Sequence, residues 1–208
     1  MATVDAVLLD MDGTLVDSDA AVERAWRSWS AEYGIDPAAA LAIAHGSSSE
    51  RTVRRLLPGL DEAAIAAASA RELELQYDDL ADVTATRGAA ELIATMAWLG
   101  LPWAVVTSAD TRLAKARLTA AGIDAPVLVT VDDLTAGKPD PEGYLRGAAL
   151  LGVPPARCLV VEDAEVGIQA GRAAGAMTAG LRGVDADLPL DDLSRLAHLL
   201  AASRPPAS

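Results

Sequence analysis

The sequence predicts an α/β protein with a parallel sheet, and three observations carry that prediction. Short apolar runs recur along the chain, helical patterns separate the later ones, and a glycine follows each of four helical patterns. Strand and helix in alternation imply parallel strands joined by right-handed crossovers.

The first strand is Ala6 to Leu9, an apolar run of the kind buried on both faces. Immediately after it, DMDGTLVDSD places Asp10, Asp12, Asp17 and Asp19 within ten residues. Asp10 thus falls at the carboxyl end of a strand, where open α/β sheets bind ligands. Asp17 and Ser18 are expected to cap the next helix, with Asp19 adding favourable charge at its start.

The interval from Val16 to Thr86 breaks the alternation. It holds helical patterns at Ala20 to Tyr33, Ser49 to Leu56 and Asp61 to Asp79, and no convincing strand. It is longer than a crossover needs, so residues 16–86 read as an inserted helical cap between core segments 1–15 and 87–208. Within it Trp26, Trp29 and Tyr33 recur at helical spacing and read as a packing stripe.

After the cap come helix Ala89 to Leu99, strand Trp103 to Val106, helix Arg112 to Ala121 and strand Val127 to Val129. Helix Gly143 to Leu151, strand Leu159 to Val161, helix Val166 to Ala174 and strand Met177 to Leu181 complete the series. Gly100, Gly122, Gly152 and Gly175 follow the four helices, as residues at positive φ commonly do. The closing Ser203 to Ser208 reads as a frayed end.

A chain of 208 residues, 51% hydrophobic and 23% charged, has enough apolar material for one globular domain with an insertion. With no Phe, the core must be aliphatic. A formal charge of −13 without clustered Lys and Arg argues against nucleic acid as a partner. An acidic protein that handles phosphates must screen its own carboxylates, through a divalent cation and a few Lys or backbone N–H groups.

The single Cys158 excludes an internal disulfide, and its apolar neighbours Leu159 to Val161 mark it as a buried strand residue rather than a nucleophile. The opening MATVDAVLLD lacks a basic leader, and no stretch reaches roughly 18 uncharged apolar residues. The expectation is a cytoplasmic protein without a membrane partner, monomeric or weakly dimeric.

Four constellations carry chemistry. Asp10 and Asp12 are one residue apart, so on an extended strand end they project to the same side, and Gly13 lets the chain turn after them. One carboxylate can attack phosphorus while the other transfers protons. A calcium loop would need further ligands at alternate positions, which Thr14, Leu15 and Val16 do not supply.

Thr107 and Ser108 follow the strand Trp103 to Val106 and precede a helix with Asp110 or Thr111 at its N-cap, a place to hold phosphate oxygens. Alone, the pair would read as a plain cap or turn. Lys138 lies in AGKPDPEGY, a loop built around Gly137 and two prolines. Held beside a nucleophilic carboxylate it would lower that group's pKa and neutralise phosphate; alone it would read as a solvated turn lysine.

Glu162 and Asp163 repeat the strand-then-acid pattern, and carboxylates ending two neighbouring strands suit a hard cation such as magnesium. Gly167, Gly171 and Gly175 follow at four-residue spacing and read as close helix packing, because no GxGxxG accompanies them.

In this order the segments DMDGTLVDSD, VVTSAD, GKPDPEGY and VVEDAEVGIQAGRAAG resemble the haloacid dehalogenase superfamily of aspartyl-phosphate hydrolases, over nearly the whole chain. The resemblance implies a Rossmann-like core with a small helical cap inserted after the first motif. It implies Asp10 as nucleophile, Asp12 as general acid and base, Lys138 bracing Asp10, and Thr107 with Ser108 on the phosphate. Magnesium would be held by Asp10, the backbone carbonyl of Asp12 and Asp163, with Glu162 close by or acting through water.

Asp12 argues against dehalogenation, since the dehalogenases lack an acid there. SDAAVERAWRSWSAEYG and HGSSSERTVRRLLP look most like the sugar and polyol phosphatases, which hydrolyse small phosphorylated metabolites. His45 and Arg51 fall where the cap's specificity loop is expected, as contacts for a sugar hydroxyl or as plain surface residues. Arg87 stands where these families place a proline, at the return hinge of the cap.

The alternative is a phosphosugar mutase resembling the β-phosphoglucomutases. Their cap histidine, twelve residues after the nucleophile, is replaced here by Val22. A catalytically idle phospho-ligand sensor is a third reading, which four intact motifs disfavour.

Overall fold

The computed structural model describes residues 4–77 and 79–203. Strand β1 (Ala6–Leu9) is wholly buried. Its pleat sends Val7 and Leu9 into one core layer and Ala6 and Leu8 into the other, as the period of two requires. A tight turn follows, in which the Gly13 N–H donates to the Val16 carbonyl at 2.8 Å and the Val16 N–H to the Met11 carbonyl at 2.9 Å.

That turn leads through β2 (Val16–Asp17) into four helices, α1 (Asp19–Tyr33), α2 (Pro37–Ala44), α3 (Ser49–Leu56) and α4 (Glu62–Tyr77). The chain returns through β3 (Thr84–Ala85), antiparallel to β2 with Val16 opposite Ala85. No strand was expected in this interval. Two-residue strands carry no readable period; these are held by each other and by the Thr86 hydroxyl, which donates to the Thr14 carbonyl at 2.6 Å.

Helix α2 was also unexpected, although Asp36 caps it by accepting from the Ala38 N–H at 3.0 Å and Pro37 opens its first turn. Its PAAALAIA sequence is apolar on every side, so amphipathic periodicity does not mark it. Helix α4 is described over Glu62–Tyr77, and Asp79, its expected end, is not helical.

The four helices enclose an apolar cluster of their own around Trp26, Trp29, Val53 and Ile65. Trp26 meets Trp29 edge-on at 5.2 Å, and Trp29 stacks on Tyr33 at 4.5 Å. The Trp29 indole, fully buried, donates to the Ala68 carbonyl at 2.9 Å, tying α1 to α4. The packing stripe is thus present in the structure.

Beyond β3 run α5 (Ala89–Leu99), β4 (Trp103–Val106), α6 (Thr111–Ala120), β5 (Leu128–Val129) and α7 (Glu142–Leu151). After them come β6 (Cys158–Glu162), α8 (Glu165–Ala173), β7 (Met177–Gly180), β8 (Leu188–Pro189) and α9 (Leu193–Ser203). The sheet has the order β5-β4-β1-β6-β7-β8, and every pairing in it is parallel. Strand β1 lies inside this sheet, so the ends of β1, β4 and β6 converge on one edge.

Strand β8 and helix α9 go beyond the sequence expectation. Pro189 sits on the outermost strand, where a missing N–H does least harm. Leu193, Leu196 and Leu200 of α9 are buried against the layer that also holds Leu92 and Met96 of α5. Ser203, the first residue of the expected frayed tail, is helical, and the remainder of that tail lies outside the described residues.

All four expected helix-ending glycines have positive φ, from 62° at Gly100 to 79° at Gly175. On α8 a Cβ at Gly171 would stand 2.9 Å from Val160, so the helix lies close on β6; Gly175 meets nothing and serves only as the stop. No helix among the described residues is long and apolar enough to cross a membrane.

Candidate active site

The acidic ends of β1 and β6 meet over one buried lysine. Lys138, carried by the loop after β5, places its ammonium 2.5 Å from Asp10 Oδ1 and 2.6 Å from Glu162 Oε1. The Tyr144 hydroxyl, from α7, donates to the same Glu162 oxygen at 2.5 Å. Asp10, Lys138, Glu162 and Asp163 are all buried. Gly167 permits this arrangement, because a Cβ there would collide with the Glu162 carboxylate.

Burial, then the neighbouring Glu162, pushes the Asp10 carboxyl well above the usual carboxylate range, against the opposing pull of Lys138. The sequence argument that Lys138 would depress Asp10 names a real effect, and burial outweighs it. Burial alone would lower the Lys138 ammonium; Asp10 and Glu162 reverse this and hold it above its ordinary range. Burial followed by Glu162 raises Asp163 to about 7.

Three carboxylates, Asp10, Glu162 and Asp163, offer oxygens within 4.8 Å of one another. The Lys138 ammonium and the Arg182 guanidinium beside Asp163 still leave the three with one negative charge in surplus. Glu162 Oε2 and Asp163 Oδ1 are buried without a hydrogen-bond partner. Gly13, at φ 82°, brings its backbone so close to Asp163 that a Cβ would strike the carboxylate. Hard oxygen donors, surplus charge and orphaned acceptors together fit a divalent cation such as magnesium.

Asp12 does not join that cluster through its side chain. Its Oδ1 turns the other way, accepting from the Ser18 hydroxyl at 2.6 Å and pairing with Arg117 Nη1 at 2.8 Å. Ser18 does occupy the N-cap of α1, but its hydroxyl serves Asp12, and Asp17 belongs to β2; this corrects the capping expectation. Asp19 pairs with Arg182 at 2.7 Å, and Arg182, held at φ 53°, also approaches Asp163 at 3.4 Å.

Thr107 is buried at the end of β4, and its hydroxyl accepts from the Ala109 N–H at 3.1 Å. The Ser108 hydroxyl donates to the Gly46 carbonyl at 3.0 Å, a bond from the core to the loop between α2 and α3. Asp110 caps α6 by accepting from the Leu113 N–H at 2.8 Å and also accepts from Tyr77 of α4 at 2.5 Å.

Between the sheet edge and the helices lies a cleft of about 620 Å³, its open mouth included. Asp10, Asp12, Thr107, Ser108, Val22 and His45 line it. Arg51 does not: it is exposed on α3, beside a separate groove that reaches Lys138. Arg87 reaches from the return hinge to Asp192 at 3.0 Å, so it ties that hinge to the start of α9.

Sequence reasoning missed Arg117, Gln76, Glu72 and Ser49. Arg117 Nη2 donates to Gln76 Oε1 at 2.6 Å, Gln76 Nε2 donates to Glu72 Oε1 at 2.6 Å, and the Ser49 hydroxyl donates to Glu72 Oε2. A signal existed in the pattern. Arg117 falls on the buried stripe of Leu113, Ala114 and Leu118, and Glu72 and Gln76 on that of Ile65 and Ala68.

The model of the haloacid dehalogenase-like hydrolases matches residues 4–175. The chain belongs to that family. It is 42% identical to hexitol phosphatase A of Escherichia coli, over 93% of this chain and 90% of that protein. It is 35% identical to 2-deoxyglucose-6-phosphate phosphatase 1 of Saccharomyces cerevisiae, over 86% and 80% respectively. A hydrolase from Pseudomonas syringae shares the fold, with a TM-score of 0.85 and 27% identity over 94% of this chain and 97% of that one. The hydrolase family matches the resemblance carried by the four motifs.

Proposed function

We propose that this protein is a magnesium-dependent phosphatase of sugar or polyol phosphates, working through a phosphorylated Asp10. The observation that carries the reading is the division of labour between two neighbouring acids. Asp10 is locked onto Lys138 at the sheet edge, while Asp12 points into the cleft from Ser18 and Arg117. The named activities of the hexitol and 2-deoxyglucose-6-phosphate phosphatases support the substrate class.

Asp10 attacks phosphorus in line, forming the aspartyl-phosphate bond as the ester P–O bond breaks, and Asp12 gives its proton to the leaving alkoxide. A water then attacks the same phosphorus from the vacated side. Asp12 takes its proton, and the bond to Asp10 breaks to release inorganic phosphate. Lys138 supplies positive charge and the Thr107 hydroxyl a donor for the phosphate oxygens, and the Ser108 hydroxyl can join them once its bond to the Gly46 carbonyl is broken.

Asp10, Asp163 and Glu162 would hold the magnesium ion, together with the Asp12 backbone carbonyl. When bound it neutralises charge on phosphate and its nucleophile. Val22 in the cleft wall has no proton to transfer, which supports hydrolysis over return of the phosphoryl group to a sugar.

Residues 16–86 act as the cap. Ser108 to Gly46, Tyr77 to Asp110 and Arg182 to Asp19 are cap-to-core bonds that opening must break. The test is a panel of phosphate monoesters with magnesium, run on the wild type and on Asp10→Asn. Turnover should fall by about a thousandfold or more in the variant. Equal turnover in the two proteins would refute the mechanism.

A further inference from the structure

Among the described residues Arg182 alone carries a side chain at positive φ, 53°, a backbone conformation that residues other than glycine rarely adopt and that recurs at functional sites. It stands in the turn after β7, where the Leu181 N–H donates to the Glu162 carbonyl at 2.8 Å and the Val184 N–H to the Leu181 carbonyl at 3.1 Å. The turn thus hangs from the strand end that carries Glu162 and Asp163. From there the guanidinium reaches two acids, Asp163 of the metal cluster and Asp19, the first residue of cap helix α1. We infer that Arg182 is a positioning residue of the cation site, drawn off Asp163 by Asp19, so that filling the site and closing the cap favour each other. The inference rests on the magnesium site and the cap proposed above.

The two contacts are unequal. Arg182 Nη1 donates to Asp19 Oδ2 at 2.7 Å, whereas its Nε stays 3.4 Å from Asp163 Oδ2, an ion pair without a hydrogen bond. Asp163 divides its oxygens accordingly. Oδ2 faces Gly13 and Arg182, while Oδ1 is buried without a partner, the acceptor left for a cation. Asp17 of β2 adds a third negative charge around the guanidinium. Two of its three acids therefore belong to the cap segment and one to the metal cluster.

A positive charge beside a metal ligand repels the incoming cation and competes with it for the carboxylate. With the cap closed, Asp19 keeps that charge at ion-pair distance from Asp163 and no closer. With the cap open, Asp19 departs with α1, and the guanidinium is free to close on Asp163 and weaken the site. Linkage makes the effect reciprocal: a cation on Asp163 takes up the negative charge that Arg182 shares, which leaves the guanidinium to Asp19 and steadies the closed cap. An ordinary surface ion pair needs neither an arginine at positive φ nor a buried metal ligand as its second partner.

Calorimetric titration with magnesium at pH 8 and about 0.15 M salt, where distant exposed charges are largely screened, tests this through a double-mutant cycle. Asp19→Asn should weaken magnesium binding about fivefold or more in the protein that keeps Arg182, and by less than about twofold in the Arg182→Gln background. Arg182→Gly, which suits the positive φ, covers a glutamine variant that does not fold. Effects of Asp19→Asn within about twofold of each other in the two backgrounds overturn the inference, because Asp19 would then act on the cation without Arg182. Amide hydrogen exchange reads the reciprocal effect: magnesium should slow exchange in the hinge strands β2 and β3 of the wild type and leave it unchanged in Arg182→Gln. Slowing of the same size in both overturns the link to the cap. Absence of magnesium binding by the wild type overturns the cation site itself, and this inference with it.

Discussion

Replacing Glu72 by Gln should make the protein more stable, and by an amount that depends on pH. Glu72 is fully buried and accepts from Ser49 and Gln76. Burial raises its carboxyl from 4.5 to about 7, only partly offset by those two hydrogen bonds and by Arg117 nearby. The folded protein therefore keeps this proton up to about pH 7, whereas the unfolded chain releases it near 4.5. In that window the folded state binds more protons, so its stability falls as pH rises.

Below pH 4.5 the cost vanishes and above about 7 it is complete. The gap between 4.5 and about 7, at about 1.36 kcal/mol per pH unit, amounts to about 3 kcal/mol. Glutamine has the same shape and no charge to bury. Urea unfolding of wild type and Glu72→Gln at pH 5, 6 and 8 measures the difference. From pH 5 to pH 8 the advantage of the variant should grow by about 2.5 kcal/mol, over a constant offset of about 1 kcal/mol from the altered hydrogen bonds. A difference that does not change with pH would refute the reasoning.

Lys138→Met removes the ammonium held by Asp10 and Glu162, leaving two buried carboxylates without a counter-charge; the expected loss is about 3–5 kcal/mol by urea unfolding at pH 8, and turnover should vanish with it. A variant as stable as the wild type would show that the pair is not what holds these acids. Gly13→Ala puts a methyl group into the Asp163 carboxylate at a backbone φ of 82°. Calorimetric titration with magnesium should show weakened binding, and unchanged affinity would remove Asp163 from the metal site.

Much of the core was legible because its signals are local. β1 and β4 coincide with the apolar runs that announced them, since a strand buried on both faces shows as uninterrupted hydrophobicity. The acids and the lysine at the sheet edge were legible as strand-end motifs in a fixed order. α9 escaped although Leu193, Leu196 and Leu200 carry helical spacing. β2, β3 and β8 escaped because two residues show no period and are fixed by their partners.

The sequence by itself determined the α/β class, the placement of Asp10, Asp12, Lys138 and Asp163 at strand ends or the loops beyond them, and the helical character of the insertion. Each follows from a run or spacing within a few residues of chain. Only the tertiary structure decided which way Asp12 points, that Glu162 braces Lys138 through a bond shared with Tyr144, and that Arg117 joins α6 to the cap. Those outcomes depend on which buried polar groups meet. Arg117 finds Asp12 and Gln76 far away in the chain only because α4 packs over α6 and excludes water from between them.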